Sequence, residues 1–228
     1  MSEEQNGPDL SGTELRAGIM PYRIRPVENV TGPCPLLFMF HGRGANEGDI
    51  FELVPYVSRE VLVVAPRAPE LYSADPRGSF QWLTRPAPEA TLADVEKPLT
   101  LILQLLEKLA DEYPIDRKRI FFGGFSQGAA LSHVAALLYP EVVAGVMAHS
   151  SYWPPNPAFR TNLPNTKGKP YFIAHGTQDD PGSLERAREA RGLLEAVGAE
   201  VTYKEYPIGH ATSPASRHDL ADWLQAHL

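Results

Sequence analysis

The chain holds little of what disulfide-bonded, metal-binding, membrane-spanning or nucleic-acid-binding proteins need. Cys34 is the only cysteine among 228 residues, which excludes an intramolecular disulfide and leaves no cysteine cluster for structural zinc. It stands between Pro33 and Pro35 with nothing adjacent to activate a thiolate, and reads as an inert loop or strand-edge residue. No apolar stretch approaches the ~20 residues of a membrane span, so stable membrane insertion is not expected. There is no long basic block and the net charge is −7, which argues against nucleic acid or an anionic membrane as the main partner. Residues 1–12 are polar and acidic and lack the apolar core of a signal peptide. They read as a disordered tail ahead of a domain over 13–228, and a cytoplasmic location is expected. Neither G-x-x-x-x-G-K-S/T nor a complete G-x-G-x-x-G occurs, so no nucleotide cofactor is indicated. Pairing into a homodimer is left open.

What is present is ordinary in bulk and specific in arrangement. Hydrophobic residues make up 43% and charged residues 21%, proportions usual for a soluble domain, and the length is short for two domains. Apolar runs at 36–40, 61–65, 120–122, 142–148 and 171–174 read as strands. Most are continuous rather than alternating, as in parallel strands covered on both faces. Residues 201–206 add another. Between them lie helical patterns at 93–113, 127–139, 183–197 and about 215–227, ended by Pro114, Pro140 and Gly198 in the first three cases. This alternation predicts a single-domain α/β fold with a mostly parallel central sheet flanked by helices. Residues 16–26 are expected as an additional edge strand or hairpin. Prolines gather in the loops 66–69, 86–88 and 154–157, the kind of post-strand loop where α/β proteins place their sites.

The most informative segment runs from Arg119 to Leu131. An apolar run, Ile120 to Phe122, stops at glycines, turns through Gly124-Phe-Ser-Gln-Gly128 and resumes as an Ala/Leu-rich helical pattern. G-x-S-x-G in that strand–turn–helix context exposes a serine hydroxyl above a parallel sheet. Outside it the pattern is weak, and Ser126 would be a helix N-cap.

A serine hydroxyl is a poor nucleophile unless a base takes its proton and an acid orients the base. In α/β-hydrolases the chain order is Ser, then Asp or Glu, then His. Downstream of Ser126, His175-Gly-Thr-Gln-Asp-Asp-Pro181 follows one strand and Tyr206-Pro-Ile-Gly-His210 follows the next. Asp179 or Asp180, and His210, therefore fall at strand ends in the required order. Taken singly, either aspartate is a turn residue before Pro181, and His210 is a solvated loop histidine. Their joint placement favours a shared site. His133 lies inside a helix, and His41, His149 and His175 precede the acid. His218 and His227 lie on the last helix and are expected to be exposed. Two N–H donors for an oxyanion are expected, one from Gln127 and one from the loop Phe40-His-Gly-Arg-Gly-Ala-Asn46, where Arg43 N–H is the candidate. That glycine-rich loop could instead cradle a phosphate.

With these segments in order, the chain resembles the phospholipase/carboxylesterase family of α/β-hydrolases, which includes acyl-protein thioesterases and small bacterial carboxylesterases. The resemblance runs from about Pro35 to the C-terminus. Gly124-Phe-Ser-Gln-Gly128 is the family's form of the turn, and Val64-Ala-Pro-Arg-Ala-Pro69 followed by Trp82 is similar to its A-P-x-x-P and downstream aromatic. The resemblance implies Ser126 as nucleophile, Asp179 as acid, His210 as base, and Arg43 and Gln127 as oxyanion donors. It breaks down after the acid. There Asp180 precedes Pro181, and Gly182-Ser183 replace the hydrophobic residues usual in the family, which leaves Asp180 as an alternative acid. The implied activity is hydrolysis of small-molecule carboxylic esters with no cofactor and no metal, and a chain with little room for a large lid favours short-to-medium acyl groups. Thioester or lysophospholipid hydrolysis by the same residues is the alternative, and a non-catalytic binding protein a further one. Trp82, beside Phe80, and Trp153, in the loop 151–159, are expected to wall an acyl pocket.

Overall fold

Continuous apolar strands are stable only where both faces of the sheet are covered, and the chain achieves this with two separate cores. The computed structural model describes residues 12–28, 31–73, 78–85, 90–153 and 156–228. The tail expected over 1–12 lies outside these residues except for Gly12, as do the proline loop 86–88 and residues 154–155.

Among the described residues, eight strands form the main sheet: β1 (Glu14–Arg16), β2 (Tyr22–Arg25), β3 (Cys34–Phe40), β4 (Leu62–Pro66), β7 (Ile115–Phe125), β8 (Gly145–His149), β9 (Pro170–Gly176) and β10 (Glu200–Tyr206). A small hairpin, β5 (Glu70–Ser73) and β6 (Ser79–Gln81), stands apart. The main sheet runs β1-β2-β4-β3-β7-β8-β9-β10. Its last six strands are parallel, and the β1–β2 hairpin adds antiparallel pairs at one edge.

Side chains alternate between the two faces. Leu36, Phe38 and Phe40 of β3, with Tyr171 and Ile173 of β9, join the core beneath α1 (Leu92–Glu112), α2 (Gln127–Leu138), the short α3 (Pro157–Arg160) and α4 (Pro181–Ala196). Leu37 and Met39, with Phe172 and Ala174, join the other core beneath α5 (Pro214–Ala226) and the 3-10 helix Asp49–Tyr56. Each large apolar side chain so buried contributes roughly 1.5–3 kcal/mol. Cys34 opens β3, buried and unpaired, and burial pushes its thiol pKa up.

Two strands differ from the sequence expectation for local reasons. The run 142–148 becomes strand only from Gly145, because Val142 and Val143 N–H both donate to Tyr139 O, closing the end of α2. In contrast, β7 continues through Gly123 and Gly124, which pair with Met39 and Phe40 on one side and Met147 and Ala148 on the other. The 3-10 helix is missing from the sequence reading. Its carbonyl end is held by the buried Arg25 of β2, which donates to Val54, Val57, Ser58 and Val61 carbonyl oxygens at 2.6–3.0 Å.

The strand order creates the site's location. From β3 the chain moves outward to β4, whereas from β7 it moves the opposite way to β8. The crevice beyond the carboxyl ends of β3 and β7 is thus a topological switch point, where open α/β sheets bind ligands.

The turn at that point is sterically fixed. A Cβ on Gly128 would lie 2.1 Å from Phe40 O, and one on Gly124 would lie 2.6 Å from Gly128 C. We expect Gly128→Ala to destabilise the fold by about 3 kcal/mol or more. Gly192, exposed inside α4 with nothing within 4 Å of a new Cβ, is the control. Gly192→Ala should stabilise by about 1 kcal/mol. Urea unfolding of both variants checks this, and a Gly128→Ala protein as stable as the parent would contradict it.

Candidate active site

Ser126 sits between β7 and α2 with φ 53° and ψ −115°, a left-handed conformation that a non-glycine residue holds only under constraint. Its N–H donates to His149 O at 3.0 Å, and its carbonyl accepts from Ala130 N. Its side chain makes no capping hydrogen bond to the helix, so the N-cap alternative does not describe it. Ser150, one strand over, has φ 50°, so strain concentrates at this edge of the sheet.

The expected acid and base lie side by side. His210 Nδ1 lies 2.8 Å from Asp179 Oδ2. Asp179 Oδ1 also accepts from Asp180 N–H at 2.7 Å, and its side chain is buried while that of His210 is 44% exposed. Burial works against the Asp179 charge, but the bonds from His210 and Asp180 outweigh it and hold its pKa below the usual carboxylate value. His175 Nε2 stands 3.0 Å from the same Asp179 oxygen. Its angle does not make a hydrogen bond, so the contact is a close electrostatic approach. Asp180 is used differently, its side chain accepting from Ser183 N–H at 2.9 Å as the N-cap of α4. The His210 ring packs 4.9 Å from that of Phe125, the residue before Ser126.

The loop after β3 is held from several directions. Trp82 Nε1–H donates to His41 O, and the Trp82 ring packs on Phe40 and His41. His41 Nε2 accepts from Ala68 N–H at 3.0 Å, so the ring proton is on Nδ1, facing Gly42 O at 2.8 Å. Gly44 N–H donates to Phe80 O, and Phe80 N–H donates to Ala45 O. The buried Glu47 takes both forks of Arg67 at 2.6 Å. Among the described residues, no acceptor holds the Arg43 N–H, and the Gln127 N–H opens α2, where first-turn donors have no intrahelical partner. The Gln127 side chain faces elsewhere, accepting from Trp82 N–H and donating to Leu83 O.

Ser126, His210, Gly42 and Arg43 line one cavity of about 440 Å³, within the range of small-molecule sites. Its other walls went unread in the sequence: Ile50, Glu52 and Leu53 of the 3-10 helix, and Arg217 and Leu220 of α5. The apolar spacing of Ile50 and Leu53, and of Leu220 and Leu224 on the last helix, is the signal that could have pointed to them. The two expected pocket tryptophans are not there. Trp82 is buried beneath the loop after β3, and Trp153 is buried beside His133, whose ring also stacks on Tyr171. Both fill core space because their rings find better cover beneath the loops than at the surface. His227, expected to be exposed, is half-buried against Trp223. No group of three or more His, Cys, Asp or Glu able to hold a metal occurs among the described residues.

His149 also lines the cavity, 3.0 Å from Ser150 Oγ through Nδ1 and 2.9 Å from Ser216 Oγ through Nε2. Burial, reinforced by the nearby His175, His210 and Arg217, pushes its pKa down to about 3, and burial takes that of His41 to about 4. In the unfolded chain these rings protonate near pH 6.5 (approximately). Below that pH the unfolded state binds more protons, so stability is intact above it and is lost as pH falls toward the folded values. His41 alone accounts for about 3 kcal/mol of loss by pH 4. Urea unfolding at several pH values between 7 and 4 should show the decline, and a flat profile would refute it.

The fold and the geometry at the switch point define an α/β-hydrolase. The chain belongs to the phospholipase/carboxylesterase family, which it matches over residues 27–228. Among curated relatives, it is 34% identical over 131 residues to an acyl-protein thioesterase 1 of Aspergillus fumigatus, covering 55% of this chain and 52% of that one. It is 24% identical over 194 residues to the putative hydrolase MhqD of Bacillus subtilis, covering 83% and 92%. The chain spans about half the length of the first of these relatives. Among solved structures, a carboxylesterase from Mesorhizobium loti shares the fold with a TM-score of 0.77 at 21% identity, covering 94% of this chain and 99% of that one. A Bacillus cereus carboxylesterase does so with a TM-score of 0.72 at 23% identity, covering 92% and 95%.

Proposed function

We propose that the protein is a serine carboxylesterase that hydrolyses small-molecule esters with short-to-medium acyl groups through an acyl-enzyme. The observation that carries this reading is the 2.8 Å contact between His210 Nδ1 and Asp179 Oδ2, on a histidine that lines the same cavity as the strained Ser126. His210 Nε2 takes the Ser126 proton as Oγ attacks the ester carbonyl, while Asp179 keeps the imidazole in the tautomer with its proton on Nδ1. Arg43 and Gln127 N–H groups stabilise the oxyanion. His210 then protonates the departing alcohol. Water, deprotonated by His210, attacks the acyl-enzyme carbonyl, and the bond to Ser126 Oγ breaks as that oxygen takes the proton back from His210 and the acid is released. A cytoplasmic location belongs to the same proposal, supported by the lone, unpaired Cys34.

Rapid mixing with a p-nitrophenyl ester tests the two-step course. A burst of one nitrophenol per chain, followed by slower turnover, is expected where deacylation limits the rate, and mass spectrometry of the quenched protein should find the acyl group on Ser126. Acylation elsewhere, or turnover with no Ser126 adduct under conditions that show a burst, would contradict it. The name of the Aspergillus fumigatus relative favours a second reading, thioester hydrolysis by the same residues. A kcat/KM for acyl thioesters well above that for matched oxyesters would select it.

A further inference from the structure

The cavity beside Ser126 is bounded partly by charge. Glu52, from the 3-10 helix Asp49–Tyr56, pairs with the Arg217 guanidinium near the start of α5. Arg217 Nε–H donates to Thr212 Oγ1 at 2.8 Å, and Thr212 Oγ1 stands 3.5 Å from Glu52 Oε2. Thr212 is two residues beyond His210. The 3-10 helix is thus joined by one polar bridge to the stretch that leads from Thr212 into α5, and all three side chains line the cavity that holds Ser126 and His210. Apart from Asp49, whose carboxylate accepts from Asn46 N–H at 2.9 Å, the remaining wall between the 3-10 helix and α5 is apolar: Met39, Ile50, Leu53 and Leu220.

We propose that the Glu52–Arg217–Thr212 bridge sets the acyl-chain length this site accepts, by closing the gap between the 3-10 helix and α5. The inference rests on the esterase reading above and names a determinant within it. The acyl group remains in the site through both chemical steps, whereas the alcohol must leave past His210 after the first and be replaced by water. The alcohol therefore takes the open side, next to the exposed face of His210, and the acyl chain takes the apolar walls. A short chain fits against Met39, Ile50, Leu53 and Leu220. A longer one has to pass between the 3-10 helix and α5 and separate Glu52 from Arg217, a part-exposed pair, placing hydrocarbon against charges that keep water only on their outer side.

The test removes both charges together, so that neither is stranded. Glu52→Ala/Arg217→Ala and the parent are assayed on p-nitrophenyl esters from acetyl to dodecanoyl, and on butyryl esters of alcohols of increasing length. The ratio of kcat/KM for decanoyl over butyryl should rise about tenfold or more in the variant, with the alcohol series unchanged. An active variant with an unmoved acyl ratio would show that the bridge is only a structural clamp and would overturn the proposal. A shift confined to the alcohol series would overturn it too, by assigning these walls to the leaving group. Should the double variant not fold, Glu52→Gln/Arg217→Gln, which also removes both charges but keeps side chains of similar reach, makes the same comparison. A parent protein that cleaves none of the esters and takes no acyl group on Ser126 would overturn the esterase reading itself, and this inference with it.

Discussion

Replacing Ser126 by alanine should lower kcat for an activated ester by about 10⁴–10⁶-fold while leaving the fold intact. The size follows from what the proposed mechanism would lose: the step that splits one difficult displacement into two easier ones, together with the hydroxyl that His210 would activate. The residual rate would come from the Arg43 and Gln127 amides and from binding in the cavity. The fold should survive because alanine fits wherever serine does at this turn, and Ser126 Oγ caps no helix. The φ of 53° is set by the backbone bonds of Ser126 to His149 O and from Ala130 N–H, which alanine keeps. Near-parental hydrolysis by a folded variant free of parent protein would remove Ser126 from the mechanism.

The second large effect separates two adjacent carboxylates. Asp179→Asn should lower kcat about 10⁴-fold, since an amide facing His210 Nδ1 favours the wrong tautomer. Asp180→Asn should leave kcat within a few-fold, since asparagine caps a helix about as well as aspartate. The stability readout reinforces the contrast: Asp180→Ala should cost about 1 kcal/mol of α4 capping without a comparable loss of rate. Impairment by Asp180→Asn alone would reverse the assignment.

Much of this was legible in the sequence, and the reasons are specific. Strand 36–40 could be found because a parallel strand buried on both faces must be apolar throughout, and Gly124-Phe-Ser-Gln-Gly128 because two backbones pass too close there for any Cβ. The order of Ser126, the aspartates and His210 could be read because each follows its own strand. The choice between Asp179 and Asp180 could not be made from the residues alone. Adjacent positions differ only in the direction of their side chains, and it is the geometry after β9 that turns Asp179 to His210 and Asp180 to Ser183. The cavity wall was invisible for another reason. Glu52 and Arg217 lie far apart in the chain and meet only because β3 stands at the centre of the sheet, with the 3-10 helix and α5 covering one face. The tryptophans misled because an aromatic in a loop near a site packs as readily beneath the loop as into the pocket. Trp82 does the former, and from there its indole N–H holds the carbonyl of His41.

Labelling with a fluorophosphonate, read by intact mass and peptide mapping, tests the central claim most directly. The probe needs an activated serine and an oxyanion site but no knowledge of the natural ester. The account predicts one phosphonyl group per chain, on Ser126, with release of fluoride, and no labelling of Ser126→Ala. Folded protein that stays unlabelled, or that is labelled elsewhere while Ser126 remains free, would contradict it.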